Sequence, residues 1–192
     1  LNKMDRMDSV MNKFITKKIL FKHIFTFLLM MFIFSSSCIA IDLYENKNSQ
    51  KKEELNWLSY DQALTKSKIE DVPTLIYFYS DNCSWCRKLE NETFSNQEIV
   101  ELMNDNFAIV RINSNSTDLI HMNEQKMTQN QLSKEIFQVR GNPTIWFLDS
   151  RENRITSLPG FVTAEDFFNV LNYIKDDYYK EYSWREYIEN IK

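Results

Sequence analysis

The chain has 192 residues, 43% of them apolar and 14% aromatic, which suits one globular domain with a packed core and some extra segments. From Ile41 onward 17 Lys and Arg face 25 Asp and Glu, a balance of −8. An acidic body of this kind excludes the basic face that nucleic-acid binding needs.

The first forty residues differ from the rest. Lys13, Lys17, Lys18 and Lys22 precede an apolar run, Ile24 to Phe34, followed by Ser35-Ser36-Ser37-Cys38-Ile39-Ala40. A basic start, an apolar centre and a small-residue exit describe a secretory signal over 1–40, and the run is short for a membrane span. An uncleaved anchor reaching Ile41 is the alternative. Cys38 has two readings as well. It is either a lipid-accepting cysteine, although Ser35 stands where lipoprotein signals carry an aliphatic residue, or a small residue ahead of a cut after Ala40. Either way the chain is expected to be exported, to the periplasm or the outer face of a membrane, with membrane association through a lipid or an uncleaved signal. Residues 41–56, rich in Asn, Lys and Glu, read as a polar linker ahead of a domain over 57–192.

Within that domain, Ser59-Tyr60-Asp61-Gln62 has the form of a capping box and opens a helix to about Lys68, which Pro73 breaks. Thr74 to Tyr79 is rich in β-branched and aromatic residues, the pattern of a strand buried on both faces. Cys83 to about Glu92 follows as a helix. Ser95 to Glu98 reads as a second capping box for a helix over Gln97–Asp105, and Phe107–Ile112 as another buried strand. Asn113 to Met127 reads as a polar, irregular surface insertion, and Thr128 as the cap of a helix to about Phe137. Gly141-Asn142-Pro143 leads into a strand over Thr144–Leu148, with a turn at Asp149–Asn153 and a return strand over Arg154–Leu158 that Gly160 ends. Thr163 caps a helix to about Lys175, and the tyrosines and tryptophan of the tail pack a final helix on the domain. The order predicts an α/β domain, a central mixed β-sheet with helices on both faces.

Cys83-Ser84-Trp85-Cys86 lies at a strand-to-helix turn. Cys83 then sits at a helix N-terminus, where free N–H groups and the helix dipole favour a thiolate, and Cys86 lies nearly one turn further in. A two-residue spacing closes too small a loop to staple a fold, which favours a redox pair over a structural one. A zinc site needs two further ligands, and only His23 and His121 supply imidazole. A soft-metal alternative remains, in which Cys83 and Cys86 bind Cu(I) together with His121, Met122 and Met127. No organic cofactor is implied.

Cys83-Ser84-Trp85-Cys86, followed 57 residues later by Pro143-Thr144, resembles the thioredoxin superfamily. Cys86-Arg87-Lys88-Leu89, Glu92-Thr93-Phe94-Ser95, Gly160-Phe161 and the tyrosine-rich tail are most similar to exported thioredoxin-like proteins of the SoxW type and to the C-terminal domain of DsbD. The resemblance implies a thioredoxin-like fold and makes Cys83 and Cys86 catalytic. It makes Pro143 a cis-proline facing them, and Asn142 and Trp85 substrate-facing. It further implies protein disulfides as substrates and a membrane electron donor. Three departures stand out. Asn82 replaces the tryptophan before the first cysteine, Tyr77 replaces a buried aspartate six residues before it, and Asn142 replaces the usual threonine, valine or isoleucine. Without that aspartate the proton acceptor for Cys86 falls to Glu90 or Asp81, and a solvated surface role is the competing reading of both.

Overall fold

The computed structural model describes residues 53–122 and 125–191. The signal-like segment, Cys38 and the linker as far as residue 52 lie outside them. Among the described residues no helix is long and apolar enough to cross a membrane.

Helix α1 (Tyr60–Glu70) starts at a complete capping box, with Ser59 accepting from Gln62 N and the Gln62 side chain accepting from Ser59 N. It ends at Asp71, whose φ of 53° turns the chain out of the helix. Strand β1 (Thr74–Tyr79) is the central strand, and its first five residues are buried. Helices α2 (Ser84–Glu92) and α3 (Gln97–Asn106) lead to β2 (Ala108–Asn113). A two-stranded hairpin follows, β3 (Leu119–Met122) and β4 (Gln125–Thr128), and then a short α-turn, α4 (Gln129–Gln131), that runs into a π-helical segment, Leu132–Ile136. Strands β5 (Thr144–Leu148) and β6 (Arg154–Pro159), helix α5 (Ala164–Lys175), a 3₁₀ turn (Tyr178–Lys180) and α6 (Trp184–Ile191) complete the chain.

The main sheet has the order β2-β1-β5-β6. β1 pairs parallel to β2, across the α2–α3 crossover, and antiparallel to β5, so the sheet is mixed. Alternation along β1 separates two cores. Leu75 and Tyr77 face one layer with Leu89 of α2, Met103 of α3 and Phe167 of α5. Ile76 and Phe78 face the other, with Ala63 and Leu64 of α1 and Leu132. Helices therefore cover both faces, and the apolar run of β1 follows from that double burial.

Three local expectations are corrected. The segment 113–127 is not irregular, because Ile120 pairs with Met127 in the hairpin and both pack with Met122 against the α1-side core. Asn96, not Ser95, caps α3, accepting from Glu98 N and Ile99 N, while Ser95 Oγ donates to Asn91 O at 2.5 Å. The helix after Thr128 widens into a π-turn in which Phe137 N donates to Leu132 O.

The tail behaves as an outer layer. Tyr187 is buried against Tyr173 with ring centroids 4.9 Å apart, whereas Trp184, Tyr178 and Tyr182 remain exposed. At the other end, Leu55 and Trp57 also pack on the α2-side core, and Asn104 holds this segment by hydrogen bonds to Glu53, Glu54 and Asn56.

Candidate active site

β1 ends at Tyr79, and the next residues carry the chain to the start of α2. Cys83 is the N-cap of that helix, and its sulfur accepts from Cys86 N at 3.0 Å. An N-cap sulfur in this position receives one of the N–H groups that the first helical turn leaves without a partner, which favours negative charge there. Cys83 and Cys86 are joined by a disulfide. Their burial is unequal: Cys86 is 2% exposed and belongs to the core with Leu89, while Cys83 is only partly buried.

The Asn142–Pro143 peptide bond is cis. Extending the β1–β5 register from its Phe78–Thr144 pair sets Asn142 level with Ser80, whose carbonyl accepts from Cys83 N at 3.1 Å. The proline loop thus lies at the same end of the sheet as the cysteines. It is fastened from two sides. Pro143 O accepts from Gly160 N at 2.8 Å, and Thr144 Oγ1 donates to Gly141 O at 2.7 Å. Asn142 itself is half-buried, with its Oδ1 accepting from Ser114 Oγ at 3.1 Å.

Trp85, between the cysteines, is 56% exposed and faces Phe161 with ring centroids 6.1 Å apart. Lys88 Nζ lies 4.5 Å from the Phe161 ring centre and 5.3 Å from that of Trp85. The rim beside the disulfide is therefore aromatic and cationic, although the domain as a whole is acidic.

The position of the missing aspartate is filled by a cluster instead. Tyr77 is fully buried, and its hydroxyl donates to Glu90 Oε1 at 3.1 Å. Burial, reinforced by the Glu90 charge, raises the Tyr77 pKa far above the ordinary phenol range, so Tyr77 stays neutral. Arg111 on β2 pairs with Glu90 at 3.5 Å and lies over the Tyr79 ring at 4.2 Å. Glu90 is consequently held between the core and the surface rather than simply solvated. Asp81 faces elsewhere, accepting from Asn113 Nδ2 at 2.9 Å.

The residues of the soft-metal alternative are not brought together. Met122 and Met127 pack on the α1 side of the sheet and Cys86 on the opposite side, while His121 lines a hollow with Tyr60 and Asp61 at the start of α1. Ser114, Ser133 and Arg111 were not singled out from the sequence. They stand far apart along the chain and form no motif.

A helix-capping Cys-x-x-Cys pair beside a cis-proline loop, on a β2-β1-β5-β6 sheet, places the molecule in the class of thioredoxin-type redox folds. A model of the thioredoxin-like domain family matches residues 60–175, more than half of the chain, and the chain belongs to that family. It is similar to a disulfide bond reductase, DsbH, of Chlamydia pneumoniae, at 29% identity over 54% of this chain and 62% of the relative. It is also similar to the thiol:disulfide interchange protein DsbD of Photorhabdus laumondii, at 30% identity over 62% of this chain but 19% of the relative. The chain thus spans less than two thirds of either. Among solved structures, a thioredoxin-fold protein from Helicobacter pylori aligns with a TM-score of 0.55 at 23% identity, over 64% of this chain and 80% of that one. The DsbH oxidoreductase aligns with 0.51 at 23%, over 65% and 86%. Both share the fold.

Proposed function

We propose that the chain is an exported thiol–disulfide oxidoreductase that reduces disulfides in other extracytoplasmic proteins. The observation that carries this reading is the unequal burial of a cysteine pair at a helix N-terminus: an accessible Cys83 and a covered Cys86. In the reduced state the Cys83 thiolate attacks one sulfur of a substrate disulfide. A mixed disulfide forms, and the other substrate sulfur leaves as a thiolate that takes a proton from water. Cys86 then loses its proton and attacks Cys83 Sγ. The mixed disulfide breaks, the second substrate thiol is released, and the pair is left oxidised while the substrate has gained two electrons. We assign the Cys86 proton to Glu90, which lies one turn further along the same helix and is oriented by Tyr77 and Arg111.

The reductive direction is supported by the name of one relative, disulfide bond reductase. A membrane-bound dithiol donor would restore the reduced pair. Export is supported by the signal-like segment, and lipidation of Cys38 would hold the domain at a membrane surface.

The reduction potential of the Cys83/Cys86 pair, equilibrated against dithiothreitol or glutathione buffers, tests the reading. A value near about −270 mV is expected of a reductase with a dedicated donor. A value of about −120 to −180 mV belongs to an oxidase or isomerase and would reverse the direction.

A further inference from the structure

Ser114 follows β2, and its backbone N–H donates to Tyr79 O at 2.8 Å, so it stands where β1 ends and the cysteine turn begins. Asn130 Nδ2, in α4, holds it by donating to Ser114 O at 2.7 Å. Its hydroxyl accepts from Ser133 Oγ at 2.9 Å and donates to Asn142 Oδ1 at 3.1 Å. Ser133 is fully buried in the π-helical segment, and Ser114 is 5% exposed.

The direction of this relay follows from proton counting. A hydroxyl has one proton to donate. Ser133 gives its proton to Ser114, its one side-chain partner among the described residues. Ser114 gives its own proton to Asn142. The carboxamide is thereby held with its oxygen toward the serines and its NH₂ away from them. Reversing the amide would leave the buried Ser114 proton without an acceptor, which buried hydroxyls avoid. Among the described residues no side chain or backbone group accepts from Asn142 Nδ2. A two-proton donor is left free on the residue that precedes the cis-proline.

We propose that Ser114 and Ser133 are positioning residues that fix Asn142 as a hydrogen-bond donor to a carbonyl of the substrate polypeptide beside its cysteine. The site then selects polypeptide disulfides over small disulfides that lack a carbonyl. This deepens the oxidoreductase reading and rests on it.

The test measures kcat/KM of the full chain for two probes: a short synthetic peptide closed by one cystine, and bis(2-hydroxyethyl) disulfide. The peptide-to-small-disulfide ratio is expected to fall about 5- to 20-fold in Ser114→Ala, chiefly through KM of the peptide, the size of one lost hydrogen bond. Ser114→Thr keeps the hydroxyl and should restore the ratio. Asn142→Asp still accepts from Ser114 but offers no donor, so it should lower the ratio with the relay intact. An unchanged ratio in Asn142→Asp, or an equal loss on both probes in Ser114→Ala, would overturn the proposal. A wild-type chain that turns over neither probe would instead overturn the oxidoreductase reading beneath it.

Discussion

The phenol of Tyr77 donates to Glu90 Oε1 at 3.1 Å, tying the middle of the central strand to the helix that carries both cysteines. The superfamily resemblance sets a buried aspartate at Tyr77, where a carboxylate could receive the Cys86 proton directly. Here the buried group is a neutral phenol, and the carboxylate sits one side chain further out, paired with Arg111. Glu90→Gln keeps the shape and the hydrogen bond from Tyr77 but removes the base. Release of substrate from the mixed disulfide should then slow by at least about 10-fold at neutral pH, with the first attack by Cys83 little changed. Rapid-quench detection of the mixed disulfide separates the two steps, and equal slowing of both would sink the assignment.

The cysteine roles themselves give a sharper outcome. Cys86→Ser removes the covered sulfur and should accumulate mixed disulfides through Cys83, visible as adducts on non-reducing gels. Cys83→Ser should form none and lose exchange altogether. The reverse pattern, adducts trapped through Cys86, would mean that the buried sulfur is the one substrates reach.

Buried phenols set the alkaline limit of the fold. Burial, reinforced by the charge of Glu152, raises the Tyr60 pKa from 10.0 to about 12. The folded chain therefore keeps its proton where the unfolded chain gives it up. Stability is fully present below pH 10.0 and falls as pH climbs toward about 12, by about 2–3 kcal/mol for a shift of this size. Tyr77 acts in the same direction. Urea unfolding across this range should show a shallower decline in Tyr60→Phe. A decline of the same steepness would assign the loss to other groups.

Much of this architecture could be read from residue order. Leu75 to Tyr79 is continuously apolar because both faces of β1 are covered, and the Ser59–Gln62 and Thr128–Gln131 pairs each form the capping box their spacing indicates. The cysteine turn was legible for the same reason, since a strand, two cysteines and a helix lie within one short stretch. The hairpin over 119–128 was not. Its strands are four residues long, no Asn-Gly or Asp-Gly marks the turn, and only Ile120, Met122 and Met127 pack inward. The Ser133–Ser114–Asn142 relay was invisible for a different reason. Its members meet only after β2, the π-turn and the proline loop converge, and no local pattern of serines reports that.

Gly160 is where the two halves of the site are joined, and it supplies the last prediction. Its N–H donates to Pro143 O at 2.8 Å, so it secures the cis-proline loop, and Phe161 beside it packs on Trp85 between the cysteines. Its φ is +88°, a conformation that side-chain-bearing residues rarely adopt. A Cβ built there would meet no atom within 4 Å, so a substitution is opposed by backbone strain and not by a clash. Gly160→Ala should therefore lower stability by about 1–2 kcal/mol in urea unfolding. Gly160→Asn, which tolerates positive φ better, should lose less despite its larger side chain. A larger loss in Gly160→Asn would mean that space and not conformation limits this position. No loss in either variant would mean that the turn relaxes. In that second case kcat/KM for peptide disulfides should fall, because the loop that carries Asn142 and Pro143 would have lost its tie to β6.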